Sequence, residues 1–171
     1  ARQAASSFKN ANVKGVILDV RGDPGGLLDA AVSVSSLWLN NKTVLTERRG
    51  GVIVQTFPSQ GVPTLAGIPT VVLMNEGSAS ASEIRAGALR DNQAATLMGS
   101  KSFGKGSVQQ IVNLGDGSEL KVTIARWYTP SGKNIDKNGI EPDKKVDRTD
   151  DDVKNGRDPQ KDAAIQFLMQ R

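Results

Sequence analysis

The sequence predicts an α/β domain with parallel strands and a β-hairpin region toward the C-terminus. Three observations lead there. The runs Val16-Ile17-Leu18-Asp19-Val20 and Thr70-Val71-Val72-Leu73-Met74 are almost continuously apolar, as strands covered on both faces must be. Each run breaks at a glycine-bearing loop and is followed by apolar residues at helical spacing, the alternation that builds parallel sheets. After Gly106 the pattern changes to two strand-like stretches about Gly115-Asp116-Gly117.

The elements follow in order. Ala4 or Ala5, Phe8 and Val13 have helical spacing over residues 1–12. The first strand ends in Arg21-Gly22-Asp23-Pro24-Gly25-Gly26, a loop by its glycines and proline. Leu27, Ala31, Val34 and Trp38 then mark an amphipathic helix ending at Asn40-Asn41. Val44-Leu45-Thr46 and Val52-Ile53-Val54 flank Arg48-Arg49-Gly50-Gly51 as a hairpin. The second buried strand breaks at Glu76-Gly77, and Ala81, Ile84 and Ala88 mark a helix over residues 80–91. Ala95-Thr96-Leu97-Met98 is a third short strand. Residues 143–161 are mostly charged and polar and read as a mobile tail. Residues 158–169 suit a short final helix, capped by Asp158 with Pro159 at its first position.

Composition narrows the chemistry. A chain of 171 residues fits one domain, and 37% apolar with 23% charged residues is ordinary for a globular protein. There is no cysteine, so thiolate nucleophiles, thiolate metal sites and disulfides are excluded. There is no histidine either, which removes the commonest general base and any Ser-His-Asp triad within the chain. Acid-base chemistry must use Lys, Asp, Glu, Tyr or water; no metal or cofactor is expected. The net charge is +4, but only Arg48-Arg49 and Lys144-Lys145 are adjacent cations and aromatics are 4%, so no nucleic-acid groove is indicated. No apolar run approaches the ~18 residues of a membrane span. Gly99-Ser100-Lys101-Ser102-Phe103-Gly104-Lys105 comes close to a phosphate-binding P-loop, but Gly106 stands where Ser or Thr is required.

The candidate site lies at the loops. Gly77-Ser78-Ala79-Ser80-Ala81-Ser82-Glu83 joins a buried strand to a helix, the geometry of a nucleophile elbow; a plain serine helix cap fits the same residues. Lys105, between Gly104 and Gly106, is either a solvated turn lysine or a base drawn into a dry site, where the neutral amine is favoured. Gln109, four residues on, projects to the same face as Lys105 if the strand begins near Lys105, and its carbonyl would then hold the amine; it is otherwise an ordinary strand residue. If the two buried strands are neighbours, the amides of Gly25 or Gly26 meet that of Ala81 as an oxyanion hole. Asp91 ends the helix where a carboxylate opposes the helix dipole, so a hydrogen-bonding partner is expected.

At these residues the sequence resembles the carboxyl-terminal processing proteases, also called tail-specific proteases. The matching segments are Leu18-Asp19-Val20-Arg21-Gly22-Asp23-Pro24-Gly25-Gly26, Asn75-Glu76-Gly77-Ser78-Ala79-Ser80-Ala81-Ser82-Glu83-Ile84, Ser102-Phe103-Gly104-Lys105-Gly106-Ser107-Val108-Gln109, Tyr128-Thr129-Pro130-Ser131-Gly132 and Gly139-Ile140-Glu141-Pro142-Asp143. They occur in the family's order over residues 8–146. The resemblance implies a spiral α/β core related to the crotonase and Clp protease folds. It implies that Ser80 is the nucleophile, Lys105 the general base, Gln109 the residue orienting the lysine, and Asp91 a supporting aspartate. The family usually has Asn where this chain has Asp23. It carries a PDZ domain upstream, followed by a Gly-Tyr-Ile strand; neither is seen here, so residues 1–146 read as a protease core fragment and 147–171 as a polar tail.

The expected function is a serine endopeptidase with a Ser80-Lys105 dyad, acting on polypeptides with exposed C-termini. By resemblance its place is extracytoplasmic. The rival readings are a peptide-binding core without turnover and a crotonase-like acyl-CoA enzyme. Two geometric expectations follow. Ser80 Oγ and Lys105 Nζ should lie within about 2.6–3.2 Å, or somewhat looser without substrate. A strand edge left open upstream should favour self-association.

Overall fold

The computed structural model describes residues 1–170. The elements in chain order are α1 (Arg2–Asn10), β1 (Val16–Asp19), α2 (Leu28–Ser35), β2 (Thr43–Arg49), β3 (Val52–Pro58), β4 (Thr70–Met74), α3 (Ala81–Asp91), β5 (Thr96–Gly99), β6 (Ser107–Asn113), β7 (Glu119–Tyr128), β8 (Lys144–Lys145), α4 (Asp150–Lys154) and α5 (Pro159–Met169). They form two sheets. One is parallel, in the order β1-β4-β5-β8; the other is antiparallel, in the order β3-β2-β7-β6. This is the mixed α/β architecture expected from the sequence.

β4 is buried at every position, which is why its sequence is apolar throughout rather than alternating. On one face of the parallel sheet, Val72 and Met74 join the main core with Val32, Ile84, Ala88 and Leu89 from α2 and α3. On the other, Val71, Leu73 and Met98 pack with Ala164, Phe167 and Leu168 of α5. The segment after residue 146 therefore covers the second face. Its charged residues anchor it. Arg21 Nη1 donates to Asp158 Oδ1 (2.8 Å) and Gln160 Oε1 (2.9 Å), while Nη2 donates to Asp19 Oδ2 (2.7 Å), tying the start of α5 to the end of β1. Asp158 caps α5 by accepting from the Lys161 amide (3.1 Å). A charge-rich stretch here is held by ion pairs and caps rather than left as a tail.

Two further differences from the expected elements have local causes. α2 stops at Ser35, short of residue 41, where Ser36 Oγ turns back to the Val32 carbonyl (2.6 Å). The two-residue strand β8 pairs with β5 yet is too short and too charged to leave a periodic signal. β1 pairs only with β4, and its other edge is open among the described residues.

Candidate active site

β1 and β4 run parallel in the register Val16↔Thr70 to Asp19↔Leu73, so both deliver their following loops to one carboxyl edge. Three hydrogen bonds join these loops. Ser78 Oγ donates to the Val20 carbonyl (2.7 Å), the Gly22 amide to Asn75 Oδ1 (2.8 Å), and the Ala79 amide to the Asp23 carbonyl (3.0 Å).

Ser80 stands at this junction with φ 55° and ψ −116°. A non-glycine residue held there costs about 1–3 kcal/mol, strain that the flanking strand and helix impose. The backbone turns sharply from the loop after β4 into α3, as a nucleophile elbow does. Gly25 comes so close that a Cβ on it would lie 2.8 Å from Ser80 Cβ and 2.6 Å from the Ala79 carbonyl oxygen. With its own φ at +100°, this position admits glycine alone. The Gly25 amide donates to Asp23 Oδ1 (3.0 Å) and is engaged there. The Gly26 and Ala81 amides have no protein acceptor among the described residues. Ala81 is the first residue of α3, so its amide is one of the unpaired donors of a helix N-terminus, where a negative oxygen is stabilised.

The sequence reading assigned no role to Glu83, which is fully buried. Its Oε2 accepts from the amides of Ser80 (2.9 Å) and Lys105 (2.8 Å), and its Oε1 from the Gly104 amide (2.8 Å) and Ser102 Oγ (2.5 Å). One carboxylate therefore fastens the elbow to the loop that bears Lys105. The Phe103 amide adds a bond to the Ser78 carbonyl (3.0 Å), and Gly104, at φ +94°, fits against the Gly139 backbone. The spacing Ser80-x-x-Glu83 is that of a capping box, the one signal that pointed to it.

The Lys105 side chain is exposed and makes no hydrogen bond or ion pair among the described residues. The expected contact between Nζ and Ser80 Oγ is not formed, and the apolar enclosure is absent. The physical reason is that Gly104 and Lys105 turn their amides inward onto Glu83, which leaves the Lys105 side chain facing solvent; neighbouring Phe103 is 67% exposed. Gln109 is exposed as well and is not bonded to Lys105. β6 begins at Ser107, two residues past Lys105, and a bulge in its pairing with β7 falls between Val108 and Gln109.

Asp91 lies at the far end of α3, about 16 Å from Ser80 at ~1.5 Å rise per residue. Its carboxylate accepts from the Ser131 amide (3.0 Å) and pairs with Arg90 (3.1 Å), so it locks α3 to the turn after β7. Burial alone would raise its pKa; hydrogen bonds from Thr129 and Ser131 outweigh that and hold it below the ordinary 3.8. A carboxyl with a lowered folded-state pKa contributes stability that is complete above the ordinary value and lost as pH falls through the lowered one. Asp91→Ala should therefore destabilise the protein at pH 7 by about 1.5–3 kcal/mol and flatten its acid unfolding below pH ~4. Urea midpoints measured from pH 7 to 3 for both proteins read this directly.

The profile of "Peptidase family S41" matches residues 1–146. A carboxyl-terminal-processing protease of Synechocystis sp. is 44% identical over 146 residues, covering 85% of this chain and 34% of the relative. A carboxy-terminal-processing protease of Bartonella bacilliformis is 47% identical over 139 residues, covering 81% of this chain and 32% of the relative. This chain thus spans about a third of the length of these relatives. Among solved structures, a photosystem II D1 C-terminal processing protease superposes with a TM-score of 0.82 at 38% identity, over 85% of this chain and 38% of that one. The family match covers the segment that carries the elbow, the Gly25-Gly26 loop and the Lys105 loop, the relatives named above are carboxyl-terminal processing proteases, and the chain belongs to peptidase family S41.

Proposed function

We propose that this chain forms the catalytic core of a serine endopeptidase that cleaves polypeptides close to their C-termini. The observation that carries the proposal is the strained Ser80 elbow with the Gly26 and Ala81 amides free beside it. Lys105 swings on its four-carbon stem from solvent onto Ser80 Oγ and takes its proton. Ser80 Oγ attacks the scissile carbonyl carbon, and the Gly26 and Ala81 amides hold the resulting oxyanion. The protonated lysine then gives its proton to the departing amine, and water releases the acyl group by the reverse steps. Gln109 orients the lysine in that closed arrangement. Leu27, 78% exposed, follows Gly26, and Phe103 precedes the Lys105 loop; together they offer an apolar surface on either side of the elbow, suited to apolar substrate residues.

The test is a fluorophosphonate probe. The protein should be labelled on Ser80, and Ser80→Ala should not be. A core that binds peptide without turnover would leave Ser80 unlabelled while still retaining peptide. An acyl-CoA enzyme of the same general fold has no use for a serine nucleophile, so labelling that blocks proteolysis excludes it. Labelling of Ser80→Ala to the extent of the unmodified protein would defeat the proposal.

A further inference from the structure

We propose that Arg85 and Asp23 form a positioning pair: Arg85 holds the two halves of the oxyanion site in register and cancels the carboxylate charge beside it. The proposal rests on the reading of Ser80 as nucleophile and names two residues that reading does not use.

Arg85 lies on α3, one turn after Ala81. Its Nη2 donates to Asp23 Oδ2 (2.6 Å) and Ser82 Oγ (2.9 Å), and its Nε to the Ala81 carbonyl (3.3 Å). Asp23 in turn accepts the Gly25 amide on Oδ1 (3.0 Å) and the Ala79 amide on its own carbonyl (3.0 Å). A single guanidinium thus grips the first turn of α3, from which the Ala81 amide projects. Through Asp23 it also grips the loop from which the Gly26 amide projects. Capture of the Gly25 amide by Asp23 leaves Gly26, not Gly25, as the free donor of that loop. A planar guanidinium with several donors suits this three-way contact; an ammonium does not.

The electrostatics point the same way. Both side chains are largely sheltered, Arg85 17% and Asp23 34% exposed. Burial alone would raise the pKa of Asp23, but the Gly25 amide, Ser82 and Arg85 hold it below the ordinary value, so the loop carries a negative charge. An unpaired carboxylate beside the oxyanion site would oppose the charge that develops on the substrate oxygen. Arg85 removes that opposition where it arises.

The experiment is steady-state cleavage of an unstructured polypeptide, with fluorophosphonate labelling rates, by the intact protein and three variants. Arg85→Met should lower kcat and the labelling rate about 10–100-fold while KM moves less than about 3-fold, because the contact acts on the transition state. Asp23→Asn, which keeps an acceptor for the Gly25 amide, should slow the reaction only several-fold. Asp23→Asn combined with Arg85→Met should run about 10-fold faster than Arg85→Met alone, since the uncompensated charge is gone. Thermal melts confirm that each variant is folded; if Arg85→Met is not, Arg85→Lys replaces it, with a several-fold loss in kcat at constant KM expected. An unchanged kcat, or a double variant no faster than Arg85→Met, overturns the pairing. Absence of labelling in the unmodified protein overturns the Ser80 reading and this proposal with it. A labelled protein indifferent to Arg85→Met overturns the pairing alone.

Discussion

Glu83→Gln is expected to lower stability by about 2–4 kcal/mol and to silence Ser80 in the molecules that remain folded. Both Glu83 oxygens are acceptors, shared by three amides and one hydroxyl, and the side chain is fully buried. A glutamine offers one acceptor oxygen and must aim its NH2 at amides that are themselves donors. If the oxygen keeps Gly104 and Ser102, the amides of Ser80 and Lys105 lose their acceptor and face a donor. Each buried donor left unsatisfied costs about 1–3 kcal/mol. The functional loss is separate from the loss of stability, because the two released amides are those of the proposed nucleophile and base. With them free, the elbow and the lysine loop no longer share an anchor. The measurement is a urea midpoint together with fluorophosphonate labelling normalised to the folded fraction. A midpoint shift equivalent to less than about 0.5 kcal/mol, with labelling at the unmodified rate, would show that Glu83 is no such anchor.

The legible parts of the molecule are those encoded by local pattern. β4 is read from its apolar run, and the run means burial on both faces whatever the covering elements are. The neighbouring position of the Gly25-Gly26 loop and Ser80 follows once two such strands are taken as parallel neighbours, and they are. Glu83 escaped because its partners lie up to 22 residues away, in a loop whose inward-facing groups are two amides, common to every residue type, and the Ser102 hydroxyl. The final helix was legible from its Asp158 cap and Pro159, but its docking through Arg21 escaped for a related reason. The Asp19, Asp158 and Gln160 contacts of Arg21 join residues as far as 139 apart, so a charged stretch read as a tail is in fact the cover of the sheet. The family resemblance implies that Lys105 meets Ser80, and the main chains of the two do meet on Glu83. Sequence spacing says nothing about where a four-carbon side chain ends on an open loop.

Lys105 is where function and stability should separate most widely. Its side chain is exposed and without a protein partner among the described residues, so Lys105→Ala and Lys105→Arg should each leave stability within about 0.5 kcal/mol. Both should nonetheless reduce turnover by about 10²–10⁴-fold, the usual worth of a positioned general base. To take the Ser80 proton in the proposed step, the Lys105 amine must leave bulk water and reach Ser80 Oγ. Contact with Ser80 and exclusion of solvent by bound substrate would supply that change. Arginine can make the same excursion but stays protonated throughout, so it tests protonation rather than size or charge. The decisive comparison is cleavage of one polypeptide by the three proteins at matched folded concentrations across pH 6–10. Substantial turnover by Lys105→Arg would show that this lysine is not the base, and the Ser80-Lys105 dyad would have to be given up.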